Sequence, residues 1–172
     1  MILYHGTSDR EIQDFTIISR EKYPPDFGDG IYFTSNFQQA KEWSCYRSEL
    51  GAVYCIDIDL EGLKGIELKD NELFFYASYL NRIDLRELVF ECLEELDGKD
   101  YVYGSMIGSP KEFVDLAEEF NEGNIDLSEL IKKTRIKRGY DQYCFRSIRA
   151  VNRINDSNRQ IIYTKKIKDI VE

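Results

Sequence analysis

Phe27-Gly28-Asp29-Gly30-Ile31-Tyr32-Phe33-Thr34-Ser35, followed by residues 36–50, is the stretch whose reading decides the fold. It reads as a tight glycine turn, a short strand and then a helix. Two glycines flanking Asp29 can take up positive φ or bring the backbone close to a ligand. Residues 31–34 are aromatic and β-branched, which fits a strand. Ser35 or Asn36 can cap the helix that follows, where Ala40 and Trp43 share one face. Strand and helix together bring Tyr32 and Trp43 to the mouth of the turn, an arrangement that suits a flat ring gripped from both sides.

Outward from this stretch, residues 2–5 read as a first strand ending at Gly6, and residues 7–29 as mostly loop, with a turn of helix near 10–14. Pro24-Pro25 makes the approach to the glycine turn stiff and extended. The helix after the turn runs to about Glu49. Further strands are expected over 52–59, 66–68, 101–104, 140–146 and 160–165. Helical spacing of Leu85, Leu88, Val89, Cys92, Leu93 and Leu96 predicts a helix over 84–97, its other face carrying Glu87, Glu91, Glu94 and Glu95. That acidic face is read as solvated, with partner docking as the alternative. Pro110 suits the first turn of another helix with Phe113, Leu116, Ala117 and Phe120 inward. A shorter helix starts at Asp126 or Ser128, and a last one spans 147–154. Strands alternating with inserted helices imply an α+β fold of two small, mostly antiparallel sheets with a cleft between them.

At 172 residues the chain is expected to form a single domain over 1–172. The formal net charge of -9 argues against a broad nucleic-acid footprint, which needs a basic face. With one histidine and no CxxC pair among Cys45, Cys55, Cys92 and Cys144, a His/Cys zinc site is not expected, and no metal is called for. The cysteines read as buried thiols of a reducing, cytoplasmic compartment. The opening Met1-Ile2-Leu3-Tyr4-His5 has neither the basic start of a signal peptide nor the long apolar run of a membrane span.

The early His5-Gly6-Thr7, the later glycine turn with its strand and helix, and Tyr140-Asp141-Gln142-Tyr143-Cys144-Phe145 come in one order. In that order they resemble the NAD-binding core of the poly(ADP-ribose) polymerase branch of the ADP-ribosyltransferases. The whole chain resembles a bacterial domain-of-unknown-function family of compact relatives of those enzymes. The resemblance implies an ADP-ribosyltransferase-like fold around an NAD cleft, with NAD as substrate and a His-Tyr-Glu triad. The triad matches His5, Tyr32 and Gln142, so glutamine stands where the family has glutamate. His5 would bond a ribose hydroxyl, with Thr7 adding a hydroxyl nearby, and the Gly6 backbone would pair with the nicotinamide amide. Tyr32 would pack on the nicotinamide, beside Gly30, with Trp43 as the opposing wall. A serine that polymerase-branch relatives use on this helix aligns with Ala40, so that contact is missing or comes from Ser44 or Ser35. Arg20 offers a guanidinium suited to the pyrophosphate. For each residue a structural role stays open: a strand-closing histidine, core aromatics, an exposed arginine, a surface glutamine.

The implied activity is mono-ADP-ribosyl transfer from NAD to a macromolecular acceptor, protein rather than nucleic acid given the acidic balance. A toxin- or effector-like role with a small antitoxin-like partner is implied by family analogy. Gln142 can bond a ribose hydroxyl but brings no negative charge and cannot act as a general base. The alternatives are therefore a non-catalytic NAD or ADP-ribose binding module, and an interaction protein using the acidic helix. Asp141 is the nearest carboxylate in sequence, but a regular strand points it to the face opposite Gln142.

Overall fold

The computed structural model of the chain describes residues 1–19, 25–69, 72, 96, 98–106, 110–134 and 137–166. Strand β1 (Ile2–Thr7) pairs antiparallel with β3 (Leu50–Asp57), and β3 with β7 (Asn158–Lys165), giving a three-stranded sheet. A four-stranded sheet is built from β2 (Ile31–Phe33), β6 (Lys137–Phe145), β5 (Tyr101–Met106) and β4 (Gly65–Leu68), in that spatial order. Its β4–β5 pair is parallel and its other pairs are antiparallel. Four helices lie among the described residues: α1 (Phe37–Ser44), α2 (Pro110–Asn121), α3 (Leu127–Lys133) and α4 (Ile148–Asn155). The chain is thus α+β with two small sheets, as the alternation of elements implied. None of these helices is long and apolar enough to cross a membrane.

Among the described residues one backbone bridge joins the two sheets. Tyr4 N–H donates to Thr34 O at 2.8 Å and Thr34 N–H donates to Tyr4 O at 2.9 Å. β1 is an edge strand, and this bridge is where β2 leans on it. Asp141 braces the same junction from β6. One of its carboxylate oxygens accepts from Ser35 N–H at 2.8 Å and from the Thr34 hydroxyl at 2.5 Å, while the other accepts from the Ser35 hydroxyl. Gln39 closes the ring, donating from Nε2 to Asp141 O at 2.8 Å and accepting Asp141 N–H at 3.1 Å.

Burial divides into two layers. Leu3, Tyr54, Ile56, Ile31, Phe33 and Phe145 pack with Ala150, Val151 and Ile154 of α4 in one cluster. Phe27, Val102 and Cys144 pack with Ala117 and Phe120 of α2 and Leu130 of α3 in the other. The second sheet feeds both, so β6 sends Phe145 to one cluster and Cys144 to the other, as strand alternation requires. The capping signals hold locally: Asn36, Asp126 and Ser147 each accept from the N–H three residues on.

Tertiary contacts moved several boundaries. Helix α1 stops at Ser44 instead of running to about 49, because the Ser44 hydroxyl lies 2.6 Å from the Thr164 hydroxyl of β7 and its carbonyl presses on Gly51 of β3. The segment near 10–14 is not helical. Its backbone is held by side chains instead: Ile12 N–H donates to the Tyr54 hydroxyl at 2.8 Å, and Phe15 exchanges hydrogen bonds with the Asn155 amide at 2.8 and 3.1 Å. β6 begins at Lys137, ahead of Gly139, where its pairing with β5 is irregular. The helix expected over 84–97 lies outside the described residues, apart from Leu96, which is buried.

Candidate functional site

Beside the Tyr4–Thr34 bridge a cleft of about 240 Å³ opens between the sheets. His5 and Gly6 of β1, Gly30 and Tyr32 of the glycine bend, Trp43 of α1 and Gln142 of β6 all line it. Three segments far apart in sequence therefore share one hollow.

His5 sits on the wall that β1 presents. Its Nδ1 lies 2.7 Å from Tyr32 O. A carbonyl only accepts, so Nδ1 carries the hydrogen and donates, which leaves Nε2 as an acceptor in the neutral ring. Burial lowers the His5 pKa from its ordinary 6.5, against the opposing pull of the Tyr32 carbonyl. Phe15 and Phe33 pack on the ring, both with centroids at 5.4 Å. The imidazole is thus a fixed, neutral hydrogen-bonding group.

Gly6 lets helix and strand meet. A Cβ there would lie 1.8 Å from Ala40 O, so no side chain fits beneath α1. The strand repeat adds a second consequence. Tyr4 turns its N–H and C=O away from β3 toward Thr34. Two residues on, Gly6 turns its own to the same edge, where the cleft lies.

Gly28 takes φ 76 and closes the turn, its N–H donating to Pro25 O at 2.8 Å. Tyr32 holds that turn from the strand. Its hydroxyl donates to Gly28 O at 2.7 Å and accepts from Phe27 N–H at 3.0 Å. The ring lies nearly parallel to Phe27, 8° between planes with centroids 6.3 Å apart. Burial raises the Tyr32 pKa well above the ordinary range, so the phenol stays protonated. Gly30 packs on β6, where a Cβ would meet Cys144 Sγ at 2.4 Å. Burial pushes that thiol up to about 12, which removes Cys144 as a nucleophile at neutral pH.

Trp43 forms the outer rim, 46% exposed, with Tyr46 packed on it at 5.3 Å. Gln142 faces the cleft while Asp141, its neighbour, points to the other face of the strand and is consumed by the sheet junction. The Gln142 amide donates to Asp26 at 2.6 Å. Asp26 lies 116 residues from Gln142 in sequence, and no local pattern announces that pairing.

Three expected ligand contacts are spent elsewhere. The Thr7 hydroxyl accepts from Asp9 N–H at 3.1 Å and does not line the cleft. Ser44 is fully buried one helical turn beyond Ala40, bonded to β7. It is therefore corrected from a ligand contact to a packing residue. Ser35 likewise gives its hydroxyl to Asp141. Arg20 lies outside the described residues.

No curated protein matches the chain. A family model described as a protein of unknown function, DUF3990, matches residues 1–155. The chain belongs to the DUF3990 family.

Proposed function

We propose that the cleft binds NAD and that the chain is a mono-ADP-ribosyltransferase on an ADP-ribosyltransferase-like fold. The observation that carries this reading is the convergence of His5-Gly6, Gly30-Tyr32 and Gln142 on one hollow, in the chain order the resemblance requires. A cleft of about 240 Å³ falls below the ~300–1,000 Å³ that encloses a drug-sized ligand. It suits nicotinamide and its ribose, with the rest of the dinucleotide outside.

Each wall has a matching task. The edge-facing N–H and C=O of Gly6 offer a donor and an acceptor to a carboxamide, which has both. Stacking on Tyr32 contributes roughly 0.5–1.5 kcal/mol beyond area burial. The Nε2 acceptor of His5 takes a ribose hydroxyl hydrogen. In the reaction the nicotinamide–ribose bond breaks with its electron pair going to the ring nitrogen, releasing neutral nicotinamide. The ribose C1′, cationic in the transition state, bonds to the acceptor's nucleophilic atom, whose proton leaves to solvent. The walls hold the leaving ring and the ribose apart while charge develops. The net charge of -9 favours a protein acceptor over nucleic acid.

Incubation with labelled NAD and cell lysate tests the proposal. Wild type incorporates label, and His5→Ala and Gln142→Ala lose it. Incorporation that survives both changes removes this cleft as the site. A second reading, a module that binds NAD or ADP-ribose without turnover, is favoured by the amide at Gln142. It predicts calorimetric binding with no release of nicotinamide.

A further inference from the structure

We infer that Asp26 is the carboxylate of this site, acting through the amide of Gln142 as a positioning residue for the transfer reaction. The inference rests on the NAD reading above and adds to it the source of negative charge that Gln142 lacks.

An ionised carboxylate only accepts hydrogen bonds, so an amide beside it must turn its NH2 inward. Gln142 Nε2 lies 2.6 Å from Asp26 Oδ2 and 3.4 Å from Ser105 O. Both acceptors call for the same amide orientation. Covalent geometry then puts Oε1 on the other side, as the remaining acceptor of a side chain that lines the cleft. A charge-assisted bond at Nε2 draws negative charge through the conjugated amide onto Oε1. Oε1 becomes the stronger acceptor for a ribose hydroxyl, with the Asp26 carboxylate on the far side of the amide.

Asp26 is well placed to hold this role. It is the second residue of the Pro25–Gly28 turn, whose closing bond is 2.8 Å long. The Tyr32 hydroxyl ties the next two residues, Phe27 and Gly28, to β2. The carboxylate is therefore mounted on a braced turn. Asp141, the carboxylate next to Gln142 in sequence, is committed to Thr34 and Ser35.

The test is steady-state release of nicotinamide from NAD by full-length wild type, Asp26→Asn, and Asp26→Asn combined with Gln142→Glu. Asparagine keeps the size and one acceptor for Gln142, removes the charge and exchanges the second acceptor oxygen for a donor NH2. The expected result is a kcat at least ~10-fold lower for Asp26→Asn, with KM for NAD changed less than about threefold. The double variant, carrying a carboxylate at the ribose itself, regains most of the rate. Thermal melts confirm that each variant is folded. A merely structural Asp26 would not give the split between kcat and KM or the rescue. Wild-type turnover with Asp26→Asn undiminished, or with no rescue in the double variant, overturns this inference and leaves the NAD reading standing. Wild type that neither releases nicotinamide nor binds NAD by calorimetry overturns both.

Discussion

Replacing Tyr32 by phenylalanine separates what its hydroxyl does for the turn from what its ring does in the cleft. The hydroxyl serves two buried backbone groups, donating to Gly28 O at 2.7 Å and accepting from Phe27 N–H at 3.0 Å. Both residues are buried, Phe27 completely. Leaving a buried polar group unsatisfied costs roughly 1–3 kcal/mol. Two are exposed to that loss, and a loosened turn lets water reach part of it, so about 2 kcal/mol is expected for the pair. For a chain of this size that corresponds to a fall in Tm of about 4–8 °C. The stack on Phe27 is retained, since the ring is unchanged. Thermal and urea unfolding measure the effect, with the urea midpoint falling and the m value unchanged. A Tm within about 1 °C of wild type would refute the reasoning that this side chain holds the glycine bend.

Gly6→Ala places a methyl 1.8 Å from Ala40 O, a backbone clash that α1 must move to relieve. Its cost is about 3 kcal/mol or more, read as a lower urea midpoint, and an unchanged midpoint contradicts the packing. Asp141→Ala strips the acceptor from Ser35 N–H and two hydroxyls at the sheet junction. It is expected to cost about 2–3 kcal/mol in the same assay, with Asp141→Asn costing less. Stability also depends on His5. Burial holds its pKa below 6.5 in the folded chain, so the unfolded chain takes the proton first. The His5 contribution is full above pH 6.5 and is lost as pH falls from there toward the folded pKa. A Tm series across this range should slope downward toward acid, and His5→Gln should flatten it.

Local chemistry explains which parts were readable in advance. Residues 31–34 announced a strand because aromatic and β-branched side chains suit a pleated surface, and β2 is there. The opposite facing of Asp141 and Gln142 followed from the two-residue repeat alone. The end of α1 was not readable. Residues 45–49 have no breaker before Gly51, and what stops the helix is Thr164, far along the chain. The same distance hid the fate of Ser44, which shares a helix face with Ala40 but meets β7 instead of the cleft. Near residues 10–14 the helical reading failed because Tyr54 and Asn155 satisfy the backbone first. Asp26 was hidden for the same reason, since a pairing across 116 residues leaves no trace in local spacing.

The chain contains one histidine, so a single imidazole signal in an NMR spectrum reports on the heart of the proposed site. Titration with NAD is expected to shift that signal saturably, because Nε2 of His5 gains a ribose hydroxyl while Nδ1 keeps the Tyr32 carbonyl. A signal that stays in place up to millimolar NAD, in a chain that remains folded, would contradict the account.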